Sequence, residues 1–451
     1  MSWQAGWSKG VRAVAHPVRL LPLLFFAGIV IGSALLMLPI SRADHDSPVV
    51  MPALFTSTSA VTVTGLASVD TATFWTPFGQ GVILVLMEVG GFGITTIATV
   101  LGMAVGGRLG MRTRMLAQAE MRLVDPGGLR QLLRRVAVMM LAFQAVIAAV
   151  LTVAYRGYYD SWATSLWHGV FHSVGAFNNA GFSLESDNLV GFAGNVWIIG
   201  TISLGVFVGA LGFPVMAELW TGWRRPSRWT IHTRLTVWGS IGLLVLSVVL
   251  FLLSEWNNPA TIGGTGLVEK LVTGIEGGVM PRSGGFNSFS WGEVRPETLG
   301  VATVMMFIGG GSASTAGGIK ITTFLLLAFV ILAEIRGDDD VTIGNRRIGA
   351  STLRQALCIA LLSVMLVAVS TLLLLTMTSY ELDAVLFEVT SAFATVGLST
   401  GITYDLPYDA QGVLMVLMFV GRVGTVAAAS ALALRSTPRR YRLPEERPII
   451  G

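Results

Sequence analysis

Four glycines of this 451-residue chain sit in similar company: Gly65 in TVTGL, Gly181 in FNNAGF, Gly285 in RSGGFN and Gly397 in TVGL. Each follows a short semi-apolar stretch and precedes a long apolar one. The chemistry open to such a segment is that of its backbone. Glycine reaches φ > 0 without a Cβ clash, which lets neighbouring carbonyl oxygens turn toward one axis. Carbonyl dipoles gathered there can replace the hydration shell of a cation. The flanking residues Thr62, Val63, Thr64, Asn178, Asn179, Ser283, Thr395 and Val396 carry no charge. A neutral set of dipoles suits a weakly hydrated monovalent cation, whereas a divalent ion is better served by carboxylates. A single such glycine could merely end a turn or let two helices pack; four at matched positions argue for the shared axis.

The matching comes from a duplication. Residues 54–66, LFTSTSAVTVTGL, agree with 386–398, LFEVTSAFATVGL, at seven positions. Residues 79–93, GQGVILVLMEVGGFG, agree with 410–424, AQGVLMVLMFVGRVG, at nine of fifteen. The second segment fits more loosely, with Phe171, Ala176 and Gly181 where Phe55, Ala60 and Gly65 fall. The third keeps a Gly-Phe pair at Gly285 and Phe286, and its place in the pattern rests on spacing. Each unit is expected to run span, short helix, glycine-containing extended stretch, span. The short helices, about 52–61 in the first unit, should aim their negative C-terminal ends at the axis.

A second glycine cluster, GGGSASTAGGIK at 309–320, lies inside an apolar region of 35 residues, Leu299 to Ala333. Glycine costs a helix about 1 kcal/mol per residue relative to alanine, so this stretch should unwind. Ser312, Ser314 and Thr315 suit a loop lining a wet cavity. A phosphate loop is excluded: no Gly-Lys-Ser/Thr follows and no strand precedes. Three ionisable groups also fall within spans, where each costs at least about 2.5–3.5 kcal/mol unless paired or wetted. Lys320 closes the glycine stretch. Arg422, roughly 16 Å along its helix from Gln411, stands where the first unit has Gly91. Glu88 lies at nearly the same depth as Arg422, so an ion pair between them is the structural alternative to any functional role for the arginine.

The elements that must position these residues are membrane spans. Hydrophobic residues make up 53% of the chain and charged ones 12%, about half the charged share of a soluble domain. Eight spans can be drawn, near 18–38, 79–105, 135–155, 193–220, 233–254, 298–333, 354–376 and 411–434. The first is too long for the apolar core of a signal peptide and reads as permanent. Of the 30 basic residues, 23 lie in or beside the N-terminus, 106–134, 221–234, 334–354 and 435–451. Only Arg42, Arg156, Lys270, Arg282 and Arg295 lie in the opposite set. Both termini are therefore expected in the cytosol. The segmentation is a cytosolic N-terminus at 1–17, units at 18–134, 135–232, 233–353 and 354–434, and a cytosolic tail at 435–451. The opposite set also holds 16 acidic residues, which could concentrate cations or simply solvate the outer surface.

TVTGL, FNNAGF, RSGGFN and TVGL, each after a short helix, resemble the selectivity-filter regions of the Trk/Ktr/HKT superfamily of potassium transporters. Eight spans resemble the Ktr-type membrane subunit most, and the likeness covers nearly the whole chain. It implies an all-α integral membrane fold, four helix–pore-loop–helix repeats around one pseudo-fourfold pore. It completes the expected filter as Thr62, Val63, Thr64, Gly65; Asn178, Asn179, Ala180, Gly181; Arg282, Ser283, Gly284, Gly285; and Ala394, Thr395, Val396, Gly397. Gly284 stands where alanine or a similar small residue is common. In that superfamily a glycine in the first filter goes with potassium and a serine with sodium, so Gly65 implies K+ as the transported ion. The stretch Gly311, Ser312, Ala313, Ser314, Thr315, Ala316 and Gly317 corresponds to an intramembrane gate loop, with Lys320 and Arg422 beside it. The resemblance also implies a multi-pass plasma-membrane homodimer, surrounded by lipid, resting on a cytosolic ring of nucleotide-binding (RCK-type) regulatory subunits. Sodium stimulation, with Na+ as a second ion, stays open.

Other classes are disfavoured. The net charge of +4 describes a membrane topology rather than a nucleic-acid partner. The single cysteine, Cys358, excludes a disulfide framework, and the five histidines show no metal-ligand spacing. A membrane-embedded enzyme would need a catalytic cluster, but His168 and His172 lack an evident nucleophile or metal partner. No nucleotide motif exists for an ATP-driven pump, so no nucleotide is expected on this chain itself. The arginine-rich segment 108–135 could dock a partner or simply orient the chain.

Overall fold

The computed structural model describes residues 17–43, 49–106 and 126–424, and the structural statements below concern these. The predicted N- and C-terminal segments, most of the basic segment 108–135 and the end of the eighth span lie outside them.

One order of elements recurs along the chain. α1 (Pro17–Leu36) leads to the short α2 (Val50–Thr62), an extended stretch and the long α3 (Pro77–Gly106). α4 (Pro126–Tyr155) leads to α5 (Trp162–Asn178) and then α6 (Val196–Leu211), followed by α7 (Phe213–Gly222). α8 (Ile231–Glu255) leads to α9 (Leu267–Val279) and α10 (Pro296–Phe307), and the chain resumes as α11 (Ile321–Arg336). α12 (Ala350–Met377) leads to α13 (Leu382–Ala394) and α14 (Tyr408–Phe419), which continues as π-helix over Val420–Gly424. Local sequence sets the starts. Asn195 caps α6 by accepting from the Trp197 and Ile198 amides at 3.0 and 3.2 Å. Thr230 caps α8 through Thr233, and Pro296 opens α10 where a missing N–H costs nothing.

The packing inverts that of a water-soluble protein. Large apolar side chains such as Leu253, Trp197, Val153, Leu372 and Val416 face outward. Threonine, serine and asparagine crowd the centre: Thr56, Ser57, Ser59, Thr62, Asn178, Asn179, Ser391 and Thr395 are buried. Apolar outer faces suit lipid, where each backbone polar group must find its partner within the protein. Among the described residues, Leu133–Tyr155, Ile231–Glu255 and Ala350–Met377 are each long and apolar enough to cross a membrane unbroken.

The fourth span departs from expectation. It was drawn as continuous over 193–220, yet α6 and α7 meet at a 99° bend. Gly212, at φ +89°, makes the turn, and Pro214 sits in the first turn of α7. The sixth span breaks as anticipated: residues 308–320 leave the helix between α10 and α11. The neck of that loop is pinned by the Gly309 amide to the Ile319 carbonyl at 2.9 Å and the Ile321 amide to Gly310 at 3.0 Å.

Candidate functional site

The four short helices α2, α5, α9 and α13 end at a common place. Beyond three of them the chain makes the same turn. The Val63 and Thr64 amides donate back to Ala60 and Ser59, those of Asn179 and Ala180 to Ala176 and Gly175, and those of Thr395 and Val396 to Ala392 and Ser391, at 2.8–3.2 Å. This is the paired 5→2 and 6→1 closure that ends many helices. In the third unit a 3-10 turn over Met280–Arg282 intervenes, and the Gly284 amide returns to Met280 at 2.8 Å. The helices thus satisfy these N–H groups, and of the carbonyls of the same residues that of Thr395 accepts from Ser283 Oγ at 3.2 Å. The turn residues Val63, Asn179, Ser283 and Thr395 all have positive φ, at 56°, 62°, 86° and 48°. Two are β-branched, for which this region is strained.

Two residues further on, Gly65, Gly181, Gly285 and Gly397 also have positive φ, at 94°, 67°, 75° and 92°. They close on one another in sequence order. A Cβ on Gly65 would lie 2.2 Å from the Ala180 carbonyl oxygen, and one on Gly181 2.7 Å from the Gly285 Cα. One on Gly285 would lie 2.5 Å from the Val396 oxygen, and one on Gly397 2.2 Å from the Thr64 oxygen. Four backbones from distant parts of the chain thus meet in a closed ring, each touching the next at a distance only glycine allows. Behind the ring, Gly90, Gly209 and Gly421 of α3, α6 and the π-helical segment abut the carbonyls of Val61, Phe177 and Phe393, where a Cβ would come within 2.1 Å. All sixteen residues expected in the four stretches therefore lie at or next to the ring. The Arg282 side chain turns away from it, donating to the Ser240 carbonyl at 2.9 Å.

The loop 308–320 packs directly against this ring. Thr315 Oγ1 lies 2.7 Å from Asn179 Oδ1 and donates to the Phe177 carbonyl at 3.2 Å. The Gly317 amide donates to Ser283 Oγ at 3.3 Å, and a Cβ on Gly317 would fall 2.1 Å from Thr395 Oγ1. The loop thereby touches the second, third and fourth stretches. Arg422 Nη1 donates to the Thr315 carbonyl, while its Nε and Nη2 are buried with no partner. Lys320 Nζ donates to Ala316 at 2.6 Å, within the loop itself. On the far side, the Gly311 amide donates to Ala210 at 2.8 Å, and a Cβ on Gly212 would meet the Ser312 carbonyl at 2.6 Å.

The family model described as "TrkH: Cation transport protein" matches residues 13–436. The chain belongs to the TrkH family. Membership makes it a multi-pass membrane transport protein and not an enzyme. The "Ktr system potassium uptake protein B" of Bacillus subtilis is 35% identical over 435 residues, covering 96% of this chain and 97% of the relative. The Vibrio alginolyticus protein of the same name is 34% identical over 95% and 94%. The "Potassium/sodium uptake protein NtpJ" of Enterococcus hirae is 31% identical over 98% and 99%. Among solved structures, the potassium transporter TrkH of Vibrio parahaemolyticus superposes with a TM-score of 0.74 at 18% identity, covering 94% of this chain and 85% of that one. That likeness establishes a shared fold.

Two features of this TrkH-family chain escaped sequence reasoning. Gly212 was missed, although Gly-Phe-Pro at 212–214 inside an apolar run is a recognisable break signal. The Arg422–Glu88 ion pair, the alternative to a functional role for the arginine, is absent among the described residues. Glu88 Oε2 instead accepts from Asn178 Nδ2 and from Gln144 Nε2, each at 2.7 Å. Helix spacing gives depth along the axis; it does not give the direction each helix faces. Of the histidines, His168 contacts Glu185 at 3.1 Å and His172 contacts Ser183 at 3.0 Å. No group of three metal-ligating side chains occurs among the described residues.

Proposed function

We propose that this chain is the potassium-translocating membrane subunit of a regulated potassium uptake system. In this view four helix–pore-loop–helix repeats surround one pseudo-fourfold pore, and the ring of Gly65, Gly181, Gly285 and Gly397 is its selectivity filter. The ring is the observation that carries the proposal: four positive-φ glycines in mutual contact, at the ends of four converging helices, with the Arg282 side chain turned away. Such an arrangement stabilises a partly dehydrated monovalent cation through carbonyl dipoles and helix C-termini. The relatives named for potassium uptake support potassium as the ion. The relative named for both ions keeps sodium, as a second cargo or a stimulating ion, within the proposal.

The loop Gly311–Gly317, with Lys320 and Arg422, acts as the gate beneath the filter. Its fit against three of the four stretches supports that role, as does the buried guanidinium that holds it. The working assembly is a lipid-embedded homodimer with cytosolic termini, resting on an RCK-type cytosolic ring that binds the regulatory nucleotide. This chain itself binds none. The test is growth of a potassium-uptake-deficient bacterium on limiting potassium. Expression should restore growth, more so with the regulatory subunit, and a Gly397→Asp variant should not. Failure to restore growth in a strain where the protein reaches the membrane would refute potassium uptake.

A further inference from the structure

The four residues that precede the strained turns, Thr62, Asn178, Arg282 and Ala394, are equivalent in the repeat, yet their side chains are treated differently. Thr62 Oγ1 stays within its own unit, 2.7 Å from the Thr58 carbonyl and 2.8 Å from Thr64 Oγ1. Arg282 reaches back to Ser240 in α8. Ala394 has nothing to tether. Asn178 alone crosses to another unit: it leaves the end of α5 and meets Glu88 on α3. The same carboxylate oxygen takes Gln144 of α4, so one acidic group ties three helices at the level of the ring. Asn178 is fully buried, and Glu88 is half-buried within a span.

The space for this contact is made by Gly91. A Cβ there would lie 2.2 Å from Asn178 Oδ1. In the fourth unit the equivalent position carries Arg422, which points to the gate loop. The duplication has therefore been used in two ways: one copy sends a side chain toward the gate, and the other leaves a gap that admits a filter residue from the next unit.

We propose that Glu88 is a positioning residue for the filter: its carboxylate fixes the Asn178 amide, and through Asn178 it sets the pore's preference for potassium over sodium. This rests on the ring being the filter. A buried amide bound to a carboxylate is held by a stronger bond than a neutral pair provides. Asn178 is followed at once by Asn179, at φ 62°, whose own side chain is held by Val206 and lies against Thr315. With both side chains tethered, the carbonyls of the second stretch have one orientation. Freeing Asn178 lets them tilt, and a looser ring accommodates the smaller, more strongly hydrated sodium ion.

Rubidium and sodium tracer uptake decides the matter, measured in the uptake-deficient bacterium with the full chain and its regulatory subunit. Glu88→Ala is expected to lower the rubidium-to-sodium ratio about tenfold, the scale of one hydrogen bond to a charged acceptor. Gly91→Ala should do likewise, because it displaces the amide without touching the carboxylate. Glu88→Gln, whose amide oxygen can still accept from both partners, should recover most of the ratio; a merely structural carboxylate would give no such ordering. Gly65→Ser serves as the control. An unchanged ratio in Glu88→Ala and Gly91→Ala, alongside a lowered ratio in Gly65→Ser, overturns the role of Glu88 and leaves the filter standing. An unchanged ratio in Gly65→Ser as well refutes the filter, and this inference with it. Should Glu88→Ala not reach the membrane, Gly91→Ala decides by the same ratio.

Discussion

Val63 and Thr395 hold β-branched side chains at φ 56° and 48°, a conformation costing roughly 1–3 kcal/mol at each residue. The surrounding hydrogen bonds fix them there, so the backbone of the proposed filter is constrained without an ion present. At Gly65 the φ of 94° and the Ala180 oxygen both refuse a Cβ, as the φ of 92° and the Thr64 oxygen do at Gly397. Gly65→Ser should therefore push the second stretch outward and raise sodium uptake relative to rubidium, by about tenfold, while thermal stability in detergent falls. An unaltered ion ratio in a folded variant would remove Gly65 from the filter. Arg422 has a different task. A guanidinium stays charged in a protein, and here it grips the Thr315 carbonyl while two of its nitrogens remain unpaired. Arg422→Ala should release the loop and raise basal flux several-fold with the ion ratio unchanged. Because Glu88 is bound elsewhere, Glu88→Gln should not rescue any instability of Arg422→Ala. Lower flux in a stable Arg422→Ala protein would deny it a gating role. Gly65 and Gly397 were legible from the duplication, Gly181 from a looser match and Gly285 from spacing. The positive φ at Val63 and Thr395 was not, since β-branched residues ordinarily avoid it.

Elements show the same division. The unwinding at 308–320 was written in its five glycines, whereas the bend at Gly212 hid behind a run of 28 residues that is long and apolar enough for one span. The two breaks face each other: the Phe213 amide donates to Ala313 at 3.3 Å, and Gly212 abuts Ser312. The loop 308–320, the proposed gate, is thus clamped between the glycine ring and the bend at Gly212. Deleting 312–316 should raise basal flux and weaken dependence on the regulatory subunit, read as tracer uptake with and without that subunit. Gly212→Ala gives a subtler check, because its Cβ would press on the Ser312 carbonyl from behind. It should shift basal flux while sparing the rubidium-to-sodium ratio. A bend that mattered only to helix packing would lower expression and leave flux per molecule unaltered. The third stretch, Arg282–Gly285, illustrates the limit of identity. Only spacing suggested it, because its short helix ends through a 3-10 turn and shares little sequence, yet Ser283 and Gly285 adopt the same backbone as their counterparts.

At the scale of the whole molecule, the charge pattern carries the most information, because lipid and membrane potential act on every loop at once. Basic residues are concentrated in alternate connections, and the proposal that those connections face the cytosol rests on the positive-inside rule. The structure adds aromatic residues suited to an interface at both ends. Trp220, Trp223 and Trp229 surround Arg224, Arg225 and Arg228 at one, and Trp256 lies under Lys270, with 4.9 Å from Nζ to the ring, at the other. The connections of the opposite set carry Asp70, bonded to Ser186, and Tyr404, which is exposed. A single native thiol makes the orientation testable. With Cys358→Ser as background, Tyr404→Cys should react with a membrane-impermeant maleimide in intact cells. Trp223→Cys, also at an exposed site, should react only after the membrane is opened. Both sites lie off the ring and the loop, so each variant should keep rubidium uptake, which verifies its fold in the same cells. Labelling of Trp223→Cys in intact cells, with Tyr404→Cys protected, would invert the topology. The acidic connections would then face the cytosol, and a regulatory ring of the kind proposed could not reach the proposed gate from the side on which its nucleotide is found.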